Sequence, residues 1–196
     1  KTHTHYNKEY IEIAKKYNSK IIISMRDLRD VMISRYHHIM IDKKHWQHKM
    51  IKDLNFNNGF IESLNQTDKS QKFIKPIDYF YNWIKNWKTH AKNNKNYLVL
   101  WYEEFIQNSE NYISKIVDYL DFEDLNVNKI KSKLDQEKEV YKENSLAENL
   151  NLLDKKTFRE GKLFGWKKTL DKTTLEKFNA SLPGNISNDD QKELER

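Results

Sequence analysis

The feature that most constrains the fold is a short apolar run, Lys20-Ile21-Ile22-Ile23-Ser24-Met25. A β-branched stretch of this length is typical of a strand that is buried on both faces of a parallel sheet. The residues after it continue without Gly or Pro to about Met40, and Asp27 and Asp30 supply acids for a first helical turn. The sequence therefore predicts a strand that leads directly into a helix.

A second strand and helix follow later in the chain. Residues 96–102 form another apolar stretch, and Pro76 suits the first turn of a helix that ends near Asn93 and Asn94. The apolar positions that recur at helical spacing are Tyr79, Phe80, Trp83, Ile84 and Trp87 before this strand, and Ile113, Ile116, Val117 and Leu120 after it. Alternating strands and helices predict a three-layer α/β/α fold with a central parallel sheet.

The remaining segments are more polar. Residues 42–75 carry turn signals and predict short helices joined by loops, whereas residues 126–156 are charged and helical in pattern. The core-packing interpretation is preferred for Trp83 and Trp87, because an aromatic stripe at helical spacing needs no ligand. After Pro183 the residues are polar enough to predict a frayed tail.

Composition excludes several classes of protein. The chain of 196 residues has no Cys, which rules out disulfides and thiolate metal sites. Its net charge is +6, but basic and acidic residues are interleaved, so no nucleic-acid partner is predicted. No apolar stretch is long enough to span a bilayer and no signal peptide is evident, which favours a cytoplasmic protein. Because the sequence opens at Lys1 without Met, an upstream signal or anchor stays open.

Arg26, at the end of the first predicted strand, is the first candidate for a binding site. In open α/β sheets, ligands bind beyond the carboxyl ends of the strands, where a helix N-terminus and a guanidinium can hold a phosphate. Ser34 lies two helical turns beyond Asp27 and so near the same face. Spacing alone leaves a second interpretation open, in which Arg26 forms a surface ion pair with Asp27 or Asp30.

The segment KIIISMRDLRDVMISRYHHIM, residues 20–40, resembles the 3′-phosphate-binding segment of cytosolic-type sulfotransferases. These enzymes use 3′-phosphoadenosine 5′-phosphosulfate (PAPS) as co-substrate. The matching positions are Arg26, Arg29, Asp30, Val31, Ser34, Tyr36 and His38. The resemblance implies that Arg26 and Ser34 hold the 3′-phosphate of the nucleotide.

Two further segments are similar to motifs of the same family. Lys1-Thr2-His3 looks like its Lys-Thr-His motif, which implies that His3 is the general base and that Lys1 stabilises charge on the sulfuryl group. The sequence NYLVLWYEEF resembles the family's strand followed by Tyr-Glu-Asp/Glu. The resemblance implies that Tyr102 contacts the nucleotide.

Near the C-terminus, Phe158-Arg159-Glu160-Gly161, followed by Trp166 and Lys167, resembles the family's Arg-Lys-Gly signature with its later Gly-Asp-Trp-Lys. By this resemblance Phe158, Arg159, Glu160 and Gly161 bind the cofactor. Glu160 departs from the usual Lys, and Gly165 directly precedes Trp166 instead of lying one residue earlier. Both departures put the affinity for the nucleotide or the shape of this loop in doubt.

Taken as a whole, the resemblance implies a P-loop-NTPase-like sulfotransferase fold over residues 1–184, with a polar tail at residues 185–196. Nothing in the sequence matches the family's N-terminal phosphosulfate loop, so we expect the C-terminal two-thirds of the domain. The predicted activity is sulfuryl transfer from PAPS to an acceptor hydroxyl or amine on a small molecule or glycan, without a metal. The alternatives are an inactive nucleotide-binding fragment or partner half and, ranked below it, a basic polyanion-binding module. The acceptor and a homodimeric state stay open.

Overall fold

The computed structural model describes residues 8–67, 74–122, 124–147 and 163–183. The chain divides into two compact units. The first unit comprises Lys1–Arg26 and Lys85–Leu150, and the second comprises Asp27–Ile84 and Asn151–Arg196.

The secondary structure of the described residues consists of helices and two short strands. In chain order these elements are α1 (Lys8–Lys16), β1 (Ile21–Met25), α2 (Leu28–Ile41), α3 (His48–Ile51), α4 (Phe56–Asn65), α5 (Pro76–Ala91), β2 (Tyr97–Trp101), α6 (Tyr102–Gln107), α7 (Ser109–Leu120), α8 (Val127–Ala147), α9 (Trp166–Thr169) and α10 (Lys172–Ser181). The predicted helix after the first strand is thus confirmed as α2, and the helix that Pro76 begins is confirmed as α5.

Strands β1 and β2 of the first unit pair in parallel. Ile21 lies opposite Tyr97, and Met25 lies opposite Trp101, so the two strands end at the same edge. The predicted parallel pairing is therefore confirmed. The residues between the strands, which include helices α2 to α5, make up the long connection that a parallel pair requires.

The prediction that the first strand is buried on both faces is wrong for one face. Ile23 and Met25 are buried, but Ile22 is 39% exposed and Ser24 is also exposed. Successive side chains of a strand point to opposite faces of the sheet. Only the face with Ile23 and Met25 is therefore covered in this structure.

The second strand is one residue shorter than predicted at each end. Asn96 precedes β2, and Tyr102 begins α6 instead of ending the strand. The apolar pattern could not show this boundary, because Tyr102 continues the apolar run and aromatic residues are common in strands. Next to β2, Trp87 of α5 is buried and its ring centroid lies 6.4 Å from that of Tyr97, which confirms the core-packing interpretation for Trp87.

The core of the second unit forms where α2, α4 and α10 pack together. Met32, Ile33 and Ile39 of α2 are fully buried, as is Phe60 of α4, whose ring is stacked 6.2 Å from that of Phe178 in α10. The ring of Tyr36 meets Phe56 and Phe60 edge on. Gly59 lets the Tyr36 ring lie close to the backbone of α4, since a Cβ at position 59 would be only 3.2 Å from that ring.

The predicted tail at residues 185–196 lies outside the described residues, so the domain boundary after residue 184 stays a prediction. Within the described ranges, no helix is long and apolar enough to cross a membrane.

We expect Phe60→Ala to lower the free energy of unfolding by about 3–5 kcal/mol, because it opens a cavity in a closely packed aromatic cluster. Urea unfolding followed by circular dichroism measures the loss. The matched control is Phe122→Ala, since Phe122 is 50% exposed and should cost about 1 kcal/mol or less. Equal losses from the two variants would contradict the assignment of Phe60 to the core.

Candidate functional site

In the first unit, the structure brings together two of the predicted site residues. Arg26 follows the last residue of β1, and Tyr102 follows the last residue of β2. Because the strands are parallel and in register, both residues lie at the same edge of the sheet. The guanidinium carbon of Arg26 is 4.7 Å from the centroid of the Tyr102 ring, within cation–π distance. This contact restricts the orientation of the Arg26 side chain.

Acidic and phenolic side chains come directly after β2 in the chain, on α6 and α7. Glu103, directly after Tyr102, is buried, and Glu104 forms an ion pair of 3.0 Å with Lys115. Burial raises the pKa of the Tyr112 phenol, a hydrogen bond with Ser24 lowers it, and the carboxylates of Glu104 and Glu103 raise it further. Tyr112 therefore stays protonated at neutral pH and is a neutral group beside the strand end.

In the second unit, a buried ion pair lies at the start of α2. Asp27 is the N-cap residue and accepts the backbone N–H of Arg29 at 2.8 Å. The same carboxylate accepts the Arg29 Nε–H at 2.9 Å and an Nη2–H at 2.6 Å. Asp27, one of the two proposed ion-pair partners of Arg26, is thus engaged by Arg29 in a bidentate pair. Both side chains are less than 10% exposed, at 7% for Arg29 and 3% for Asp27.

Trp166 joins this pair to the C-terminal part of the second unit. The Arg29 guanidinium carbon lies 3.8 Å from the Trp166 ring centroid, and the Trp166 backbone N–H donates to Asp30 Oδ1 at 3.0 Å. We call Asp27, Arg29, Asp30 and Trp166 the α2 N-terminal cluster. Sequence reasoning singled out each of these residues, but no spacing in the sequence could indicate that residues 136 positions apart touch.

Ser34 lies on α2 in the second unit and is partly buried, whereas Arg26 belongs to the first unit. The idea that the two side chains hold one phosphate stays a prediction. Lys1, His3 and the segment Phe158-Arg159-Glu160-Gly161 lie outside the described residues, and their roles stay predictions as well.

The histidines do not assemble a metal site in the described ranges, where no group of three or more His, Asp or Glu side chains is placed to hold a metal ion. The Nδ1 of His48 lies 2.9 Å from the carbonyl oxygen of Ile39, and the Nδ1 of His45 accepts the backbone N–H of Gln47 at 3.1 Å. Both contacts are local and fix the loop around α3.

The fold and these strand-end residues can be compared with known proteins. A family model described as "Sulfotransferase domain" matches residues 1–186. Because this match covers most of the chain, the protein belongs to the sulfotransferase-domain family. A comparison with curated proteins found no match.

Solved structures give a consistent result. Mouse sulfotransferase SULT7A1 complexed with PAP aligns with a TM-score of 0.68 and 19% identity over 98% of this chain and 67% of its own. Retinol dehydratase in complex with androsterone and inactive cofactor PAP aligns with a TM-score of 0.56 and 21% identity, over 83% of this chain and 46% of its own. Retinol dehydratase in a complex with retinol and PAP aligns with a TM-score of 0.54 and 19% identity, over 86% of this chain and 49% of its own.

These alignments confirm the predicted α/β sulfotransferase-like fold. The chain spans 67%, 46% and 49% of the three neighbours' lengths. In the described part of this chain, the sheet consists of the parallel pair β1 and β2.

Asp30→Ala should accelerate hydrogen exchange of the Trp166 backbone amide by about 10- to 100-fold, because that N–H loses its hydrogen bond to a buried carboxylate. Exchange followed by NMR, residue by residue, measures the effect.

The matched control is Asp42→Ala, which removes another carboxylate that accepts a backbone N–H, that of Lys44 at 2.9 Å. This change should leave the Trp166 amide unaffected. If Asp30→Ala also left it unaffected, the link between α2 and Trp166 would not exist in solution.

Proposed function

We propose that the protein binds the nucleotide of PAPS at the carboxyl edge of β1 and β2 and takes part in sulfuryl transfer to an acceptor hydroxyl or amine. The observation that carries this proposal is the position of Arg26, at the end of a parallel strand and against the ring of Tyr102. A guanidinium at this edge of an α/β sheet is well suited to a phosphate group. Membership in the sulfotransferase-domain family supports the assignment.

The proposed roles follow from the chemistry of each side chain. Arg26 supplies charge and paired N–H donors to the 3′-phosphate, and the Ser34 hydroxyl donates to the same group. Tyr102 orients Arg26 through its ring. The segment from Phe158 to Gly161 contributes further phosphate contacts, and Glu160 makes that segment less cationic than one with Lys at this position. This set requires no metal ion.

Sulfuryl transfer in this scheme is an in-line displacement, in which positioning and charge stabilisation carry most of the catalysis. The acceptor oxygen forms a bond to sulfur while the bond from sulfur to the 5′-phosphate oxygen breaks. The His3 imidazole takes the acceptor proton, a task that matches its ordinary pKa of about 6.5. Lys1 stabilises negative charge on the sulfuryl group. The products are the sulfated acceptor and 3′-phosphoadenosine 5′-phosphate, abbreviated PAP.

The structural neighbours lend support from their ligands. PAP is named in all three complexes, and two of them name androsterone or retinol as a further ligand. We therefore favour a small molecule as the acceptor. The full reaction is a proposal for the whole protein, since the neighbours are longer than this chain.

Arg26→Gln is expected to weaken PAP binding at least about tenfold, because a charge-assisted hydrogen bond to phosphate is worth about 1.5–3 kcal/mol. Calorimetric titration of PAP, compared with adenosine 5′-phosphate, measures both the affinity and the preference for a 3′-phosphate. The variant should lose most of that preference.

The control for this titration is Lys52→Gln, which removes an exposed cation that pairs with Asp53 at 3.5 Å. It should bind PAP as the unchanged chain does. Binding that requires neither the 3′-phosphate nor Arg26 would mean that the nucleotide site lies elsewhere or does not exist.

His3→Ala should abolish turnover with PAPS while leaving PAP affinity within about twofold, since the proposed base acts on the acceptor and not on the nucleotide. Sulfated product formed from radiolabelled PAPS and a panel of phenols and alcohols measures turnover. Unchanged turnover would reject His3 as the base. Tight PAP binding without turnover in the unchanged chain would favour the alternative of a nucleotide-binding protein that transfers nothing.

A further inference from the structure

A second arginine of α2 is held in an unusual way. Arg35 follows Ser34 on the helix, and its Nη1 donates to the carbonyl oxygen of Ser63 at 3.1 Å. Its Nη2 donates to Oε1 of Gln47 at 2.5 Å, and the Gln47 Nε2 donates to the same Ser63 carbonyl at 3.0 Å. We call Arg35, Gln47 and Ser63 the Arg35 cluster. It is a closed triangle of hydrogen bonds within the second unit.

The partners of Arg35 are neutral. No carboxylate pairs with this guanidinium in the part of the chain that the structure describes. Burial lowers the pKa of Arg35 to about 10, so the side chain still carries its charge at neutral pH. Arg29, six residues earlier on the same helix, has the counter-charge that a buried cation usually has, because it forms an ion pair with Asp27. A desolvated cation without a counter-charge is costly to stability.

The Arg35 guanidinium also keeps donor capacity for a ligand. An arginine has five N–H donors, and the cluster uses one from each Nη atom. The Arg35 side chain is partly exposed, and its Nε–H has no hydrogen-bond partner among the described residues. The guanidinium can therefore present an N–H donor and its charge to an anion that arrives from solvent.

The cluster is rigid enough to act as a preformed site. Gln47 and Ser63 are fully buried, and the Ser63 hydroxyl donates to the Phe60 carbonyl oxygen at 2.7 Å. The backbone N–H of Gln47 is bound to His45. Little side-chain entropy is therefore lost when an anion binds, which is the condition for efficient recognition by a guanidinium.

We propose that the Arg35 cluster binds an anionic group of the acceptor, a carboxylate or a sulfate ester, and so selects acceptors that carry a negative charge. This proposal rests on the proposed function for its biological meaning. Arg35 is adjacent to Ser34, the proposed ligand of the nucleotide. Trp46, next to Gln47 in the chain, is 37% exposed, and aromatic side chains are common in the lining of small-molecule pockets.

A purely structural role is the competing explanation, since the cluster ties α2 to the loop before α3 and to α4. That role predicts a loss of stability when Arg35 is replaced but no response to added anions. The experiment must therefore observe the guanidinium itself in the unchanged protein.

The test is ¹⁵N NMR of the arginine Nε–H resonances, with the Arg35 signal assigned by its loss in Arg35→Lys. The probes are methyl sulfate, 4-hydroxybenzoate and the neutral 4-hydroxybenzamide, each titrated at constant ionic strength. We expect saturable shifts of the Arg35 signal with the two anions and no shift with the amide. The absence of a saturable shift with either anion would overturn the proposal.

Gln47→Glu sharpens the test, because it places a carboxylate beside the guanidinium and supplies the missing counter-charge. We expect this variant to fold and to bind methyl sulfate at least about tenfold more weakly. Gln107→Glu, the same substitution at an exposed position of α6, is the matched control and should bind as the unchanged chain does. Equal affinities in the two variants would reject the Arg35 cluster as the anion site.

The two proposals fail separately. In Arg26→Gln, PAP binding should weaken while the Arg35 response to methyl sulfate stays unchanged. If the unchanged chain bound no PAP but kept the Arg35 response, the nucleotide assignment would fall and the anion site would remain. If Arg26→Gln also removed the Arg35 response, the separate anion site would be rejected.

Discussion

The candidate site depends on the parallel pairing of β1 with β2. Parallel pairing makes both strands end at one edge, so the residues that follow them, Arg26 and Tyr102, meet although 75 residues separate them along the chain. In an antiparallel pair in the same register, these two residues would lie at opposite ends of the sheet. The parallel direction of the strands therefore creates the cation–π contact between Arg26 and Tyr102, whatever the neighbouring residues are. The nucleotide proposal starts from this contact.

Helix α2 illustrates how one element can place two arginines in different electrostatic states. Arg29 lies at the N-terminal end, where positive charge is unfavourable for the helix dipole, and the carboxylate of Asp27 together with the Trp166 ring offsets that cost. Arg35 lies near the middle of the helix and is held by amide and carbonyl oxygens. The charge of Arg29 is balanced by Asp27, whereas the charge of Arg35 faces no carboxylate in the described ranges, and we propose that an anionic ligand balances it.

The sequence predicted those features that depend on local pattern. The β-branched run before Arg26 predicted β1, and the uninterrupted stretch after it predicted α2, because both signals reside in consecutive residues. The pairing of Arg29 with Asp27 was not predicted, although the two residues are near neighbours, because Asp27 was assigned to the first helical turn instead of the N-cap. Neither the exposure of Ile22 nor the Arg35 cluster could be read from the sequence. Both depend on which distant residues pack nearby, and no periodicity in the sequence encodes that.

One consequence of the cap at Asp27 concerns which replacements position 27 can tolerate. Its carboxylate both caps the helix through the Arg29 N–H and neutralises the Arg29 side chain. Asparagine could serve the first purpose but not the second, and glutamate carries the charge on a side chain that caps less well. Local helix geometry and a buried charge balance thus restrict the same position independently, which leaves aspartate as the one residue type that meets both demands.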